Sequence, residues 1–206
     1  MEKINYQKRL DKLIEGLGGK LPTLLLHSCC APCSSYCIEY LSQYFRITLL
    51  YYNPNISPAE EFAKRSAELE RLVREMPLKN PVEVVIDRYD PAEFLNAVKG
   101  LENIPEGGER CFKCYRLRLE RTAQYAAAGG FDYFCSTLSI SPRKNCGRLN
   151  DIGEELSDIY SVGHLPNDFK KRNGFKRSVE LSEQYGLYRQ NYCGCAFSKA
   201  ESETRK

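Results

Sequence analysis

The sequence predicts an α/β fold, a parallel sheet covered by helices on both faces, and three observations predict it. Short apolar runs recur at residues 24–26, 47–52, 82–86 and 131–135. Strands buried on both faces read as near-continuous apolar runs of this kind rather than as alternating ones. Segments with helical apolar spacing separate the runs, and Gly or Pro punctuates the joins, which is the pattern of strand–helix–strand units.

The elements follow in order. Leu10, Leu13, Ile14 and Leu17 mark one face of a first helix, which Gly18 and Gly19 end before Pro22. Leu24, Leu25 and Leu26 form a buried strand that runs into His27-Ser28-Cys29-Cys30. Pro32 can open a helix because its missing N–H is unbonded there in any case, and this helix extends to about Tyr44. A second strand covers 47–52 and is broken by Asn53-Pro54. Pro58 starts a long charged helix that stops near Met76-Pro77, and 82–86 is the third strand. Asp90 followed by Pro91 and Glu93 is a capping signature for a short helix. A glycine-rich loop leads to Gly108, then a helix over 111–128, Gly129-Gly130, and a fourth strand at 131–135.

Beyond Leu149 no strong strand is predicted and the text is helical and basic. Residues 1–148 are therefore expected to be the α/β core, and 149–206 a helical cap. In open parallel sheets the site lies at the C-terminal strand ends, where strand order reverses. Cys29 and Cys30 follow the first strand and are expected in that crevice.

No apolar run reaches the roughly 18 residues that a membrane span needs, and the first 20 residues are charged rather than signal-like. A cytoplasmic protein with no membrane partner is expected. Ten cysteines in 206 residues fall below the roughly 8–10% of a secreted disulfide scaffold. In a reducing compartment, clustered cysteines serve metals or redox chemistry. Net charge is only +3, so composition alone does not announce a nucleic-acid binder. The distribution is more specific: Lys170, Lys171, Arg172, Lys176 and Arg177 gather in one run, with Arg189 beyond it and Arg116, Arg118 and Arg121 on another segment. These are candidate phosphate contacts, against the alternative of a solvated face.

Three cysteine clusters carry the chemistry. The first is Cys29-Cys30-Ala31-Pro32-Cys33 with Cys37 a turn beyond; the second is Cys111-Phe112-Lys113-Cys114; the third is Cys193-Gly194-Cys195. The first two stand where a helix begins, so backbone N–H groups and the helix dipole stabilise thiolates. A Cys-x-x-Cys pair suits either tetrahedral zinc or one edge of an iron–sulfur cube. Cys30-Ala31-Pro32-Cys33 also has the spacing of thiol–disulfide exchange motifs. An iron–sulfur site, a structural zinc site in an RNA-binding module that uses the basic tail, and a cytosolic thiol-disulfide reductase thus remain open on spacing. More thiols are present than one closed four-ligand site uses, which favours redox work or a second metal. Cys193 and Cys195, with one glycine between them, can form a strained, readily reduced disulfide, or reach back to the metal site.

Cys37, Cys135 and Cys146 are isolated and read as plain thiols. His27, ending an apolar strand, reads as a satisfied core histidine. Asp87 and Asp90 flank the end of the third strand as candidate acids, although Asp90 is explained as a cap. The run Tyr188-Arg189-Gln190-Asn191-Tyr192 suits base stacking if exposed and packing if buried.

Five strings carry a resemblance: HSCCAPCSSYC (27–37), NPNISPAEEFAKR (53–65), ERCFKCYRLRLERTA (109–123), STLSISPRKN (136–145) and LYRQNYCGCAFS (187–198). In this order they resemble the signature blocks of the QueH family of epoxyqueuosine reductases. The resemblance implies reduction of the epoxide of epoxyqueuosine at the tRNA wobble base, without cobalamin, on a fold similar to the PP-loop (HUP-like) tRNA-modifying enzymes. It implies a 4Fe-4S cluster on Cys29, Cys30, Cys111 and Cys114 and a redox-active disulfide of Cys193 and Cys195. The Ser-Gly-Gly phosphate loop of the PP-loop enzymes is replaced here by 29–33, so no use of ATP is expected. Cys33 is left as part-ligand of an additional mononuclear iron, a Lewis acid on the epoxide oxygen. Lys170, Lys171, Arg172, Lys176, Arg177 and Arg189 are then the expected tRNA contacts, Tyr192, Asp87 and Asp90 the candidate acids, and an unidentified donor supplies electrons.

Overall fold

The computed structural model describes residues 4–204. Five parallel strands form one sheet in the order β3-β2-β1-β4-β5: β1 is Thr23–His27, β2 Arg46–Tyr51, β3 Val82–Ile86, β4 Tyr133–Ser136 and β5 Gly163–His164. The four expected strands all form. β5 is additional. With two residues it is too short to show any periodicity, and it exists because its backbone pairs with Tyr133 and Phe134.

Helices α1 (Tyr6–Gly16), α2 (Ala31–Leu41) and α3 (Ala59–Glu75) follow in the first half, α4 (Pro91–Ala97) and α5 (Glu109–Ala128) in the middle, then α6 (Cys146–Tyr160), α7 (Gly174–Gln184) and α8 (Ala196–Thr204). Local chemistry sets several starts. The Asn5 side chain accepts the Lys8 N–H at α1, Asp90 accepts from Ala92 at α4, and Asn145 accepts from Arg148 at α6; each satisfies an otherwise orphaned donor. Pro32 stands in the first turn of α2.

Alternation along the central strands explains why both sheet faces need cover. Leu24 and Leu26 of β1 point into one core with Leu10 of α1, Ile38 and Leu41 of α2 and Leu69 and Leu72 of α3. Leu25 points into a second core with Leu119, Ala123 and Ala126 of α5 and Leu149, Ile152 and Leu156 of α6. Residue 148 therefore falls inside α6, a helix packed on the sheet, and the segments after β5 are the ones that close over the strand ends. Among the described residues no helix is long and apolar enough to cross a membrane.

Chain order β1-β2-β3 runs to one side of β1, and β4-β5 continues on the other. The reversal point, where such sheets open a crevice, is at the C-terminal ends of β1 and β4.

Candidate active site

At that reversal point β1 ends in a tightly held turn. The Ser28 N–H donates to Leu50 O, Asn53 Nδ2 donates to Ser28 O at 2.8 Å, and the Cys29 N–H reaches Thr137 Oγ1 at 3.4 Å just beyond β4. Cys30 then caps α2, its carbonyl accepting from the backbone and hydroxyl of Ser34. This geometry brings the thiols of Cys29, Cys30 and Cys33 together, their Sγ atoms all within 4.8 Å of one another. Three soft donors at that separation can hold a metal ion.

A cavity of about 270 Å³ opens above them, lined also by Arg65, Arg118, Lys144, Tyr192 and Cys193. A second, much smaller cavity adjoins it, walled by Cys111 and Cys114 from the first turns of α5 together with Cys193 and Cys195 before α8. Arg118, Arg143, Lys144, Glu106 and Cys193 belong to both walls. Seven of the ten cysteines thus line two connected spaces. The other three do not: Cys37 and Cys135 are fully buried in the core and Cys146 donates to Asn167 O.

The third cluster reaches the crevice because its loop is pinned to the start of α3. Gly194 O accepts from Ser57 N, and Arg65 Nη1 donates to Cys193 O at 3.3 Å. Gly194 adopts φ +118, and a Cβ there would stand 2.9 Å from Ile56 and 3.0 Å from Arg65; only glycine fits that backbone and that space. Cys193 and Cys195 are two thiols 3.7 Å apart.

Electrostatics separate the thiols into pairs of unlike character. The thiols of Cys30 and Cys33 stabilise a Cys29 thiolate and, despite burial, hold its pKa well below the ordinary value, helped by Lys144 and Arg118. Cys30 is pushed up to about 12 by its bond to Cys29. Likewise Cys195 stabilises a Cys193 thiolate, with Lys144 adding to it, while Cys195 itself is pushed up. Burial would strip the Lys144 proton, but Cys193, Tyr115 and Cys29 outweigh it and hold its pKa above the ordinary lysine value. Arg118, 3% exposed, lies against Asn53 Oδ1 and its own helix carbonyl at Cys114.

The remaining expected residues divide clearly. His27 is a core group: Nε2 bonds to Tyr52 O at 3.0 Å and Nδ1 to Ser136 Oγ at 2.8 Å, and burial lowers its pKa to about 4. Of the three candidate acids, Tyr192 lines the large cavity, with Arg65 over its ring at 5.1 Å. Asp87 is instead paired with Arg121 and Asp90 caps α4. In the basic run, Lys170 pairs with Asp168, Arg172 with Asp11, and Arg177 with Glu39 and Glu180, whereas Lys171 and Lys176 face solvent. Arg189 alone of that set lines the cavity. Sequence reasoning did not single out Lys144, Arg143 or Arg65. Arg118 was one of three spaced arginines, but its neighbours Arg116 and Arg121 are tied to Glu155 and Asp87 and do not line the crevice.

The sequence profile of the family described as epoxyqueuosine reductase QueH matches residues 24–201. An epoxyqueuosine reductase QueH from Streptococcus pyogenes serotype M1 is 44% identical over 96% of this chain and 79% of its own length. The Staphylococcus epidermidis protein of that name is 43% identical over 96% and 85%, and the Thermotoga maritima one 36% identical over 87% and 91%. With five thiols of two separated loops brought beside a Cys-Gly-Cys pair, and relatives of this similarity along almost its whole length, the chain belongs to the epoxyqueuosine reductase QueH family.

Proposed function

We propose that the protein reduces the epoxide of epoxyqueuosine in tRNA to the cyclopentene of queuosine, in the cytoplasm. The observation that carries this reading is the convergence of seven cysteines on two connected cavities. The donor set suits a thiolate-bound 4Fe-4S cluster on Cys29, Cys30, Cys111 and Cys114: the site is buried, all its protein donors are sulfur, and the cations Arg118 and Lys144 stand where an anionic cluster needs compensation. Cys33, within reach of Cys29 and Cys30, remains the candidate ligand for an additional mononuclear iron. When bound, these groups would supply one-electron transfer and a Lewis acid for the epoxide oxygen.

The chain's own residues account for the balance. Removing the epoxide oxygen breaks two C–O bonds, forms C=C and releases water, consuming two electrons and two protons. Oxidation of the Cys193/Cys195 dithiol to a disulfide releases two of each. One thiol of this pair is poised to ionise and the other to keep its proton, which suits a dithiol that reacts stepwise. An external dithiol or electron-transfer donor then restores it. Tyr192 stands in the cavity as the candidate proton donor to the departing oxygen.

Protein purified without oxygen is expected to be brown and to contain iron and acid-labile sulfide. Cys111→Ser should lose most of the visible absorption, and Cys193→Ser should keep it while turnover of epoxyqueuosine-containing tRNA falls by about a hundredfold or more. A colourless zinc protein, or a Cys111→Ser variant with its full cluster, would sink the assignment; iron loss in Cys193→Ser would move that residue into the ligand set.

A further inference from the structure

We infer that Phe175, at the mouth of the large cavity, is a stacking platform for a nucleotide that flanks the modified base, with Arg143 and Arg189 taking the adjoining phosphates. The inference rests on the tRNA reading above and deepens it.

Size comes first. A cavity of about 270 Å³ is at the small end of ligand sites, which run from about 300 Å³ upward. It admits one modified base, so its neighbours in the strand must lie at the rim. Single-stranded RNA is held by splaying bases onto aromatic faces while cations take the phosphates. The rim offers both. Of the large apolar side chains exposed among the described residues, Phe175, at 37% exposed, is the one that also lines this cavity. With Arg65 already paired to Glu61, the cavity wall carries Arg118, Arg143, Lys144 and Arg189 against the single carboxylate of Glu106, the complement of a polyanion.

Phe175 is also fixed in place. Arg172 and Asn173, both with positive φ, turn the chain into α7, and Gly174 is wedged so closely that a Cβ would stand 2.0 Å from Phe169 O and 2.4 Å from the Tyr36 ring. The backbone that carries the ring is therefore tightly seated against Phe169 and Tyr36. Arg143 is steadied by Asn191 O at 3.1 Å and Arg189 by Ser182 Oγ at 3.0 Å. Both are exposed and are held by neutral acceptors, which leaves guanidinium edges for phosphate.

The test uses the anaerobically purified protein and two probes, a synthetic anticodon stem-loop carrying epoxyqueuosine and the free epoxyqueuosine nucleoside. Phe175→Ala and Phe175→Leu should weaken stem-loop binding about ten- to a hundredfold, the range of one lost base stack, and Phe175→Tyr should retain it. Nucleoside binding should be equal in all four proteins. Wild-type affinity for the stem-loop in Phe175→Ala overturns the platform, as does full rescue by leucine, which would mean apolar contact rather than stacking. An equal loss for the nucleoside overturns it too, by placing Phe175 in the base pocket. If wild type binds the nucleoside but not the stem-loop, the RNA reading itself falls.

Discussion

Two groups of cations differ in a way that sequence conceals. Those of the run 170–177 are conspicuous in the text, yet Lys170, Arg172 and Arg177 each meet a carboxylate. Those of the crevice are scattered through the chain at 65, 118, 143, 144 and 189; Arg65 is paired with Glu61, while the other four stand in a wall that holds one carboxylate, Glu106. The first group neutralises itself across helices; the second makes a field. Charge density along a chain is a poor guide to charge available to a ligand, because partners from elsewhere in the fold decide what remains.

The largest expected effect that would break this contrast comes from Lys144. Lys144→Met should lower turnover by about a hundredfold, the scale of removing one preorganised electrostatic contact. It should also slow alkylation of Cys193 at neutral pH, because the cation that favours its thiolate is gone. Activity near wild type would show that the crevice cations are as dispensable as the surface ones. A smaller effect is expected from the two solvent-facing lysines. If Lys171 and Lys176 contact tRNA phosphates, replacing both with Ala should reduce the slope of log affinity against log salt by about one to two; an identical slope assigns them to a solvated face. The smallest is for Arg172→Ala, whose pairing with Asp11 is half exposed and should contribute at most about 1 kcal/mol to stability in a denaturant titration. A loss of tRNA affinity exceeding that of the lysine variant would make Arg172 a contact after all.

Much of the fold is legible in sequence because β1, β2 and β4 are largely buried on both faces and read as apolar runs. β5 is not, since two residues carry no pattern and only pairing with β4 defines it. All seven crevice cysteines announce themselves in spaced motifs, but that the pair at 193 and 195 joins the others depends on the fit of Gly194 against Ile56 and Arg65. Lys144 has no local signature, being one basic residue in a loop. The pairing of Arg172 with Asp11 and of Arg177 with Glu39 spans 161 and 138 residues, a separation at which no sequence pattern operates.

The pinning of β1 to β4 and of the Cys-Gly-Cys loop to α3 has a consequence for how the protein is made. His27 meets Ser136 across 109 positions, and Arg65 meets Cys193 across 128. Contacts so distant along the chain form late, after most of the closure entropy has been overcome. During synthesis the thiols at 29, 30 and 33 leave the ribosome long before the segment that will roof them, and stay open to oxidants until it arrives. Nascent chains of this protein therefore depend on a reducing environment at a stage when the enclosure that later shelters the same thiols does not yet exist.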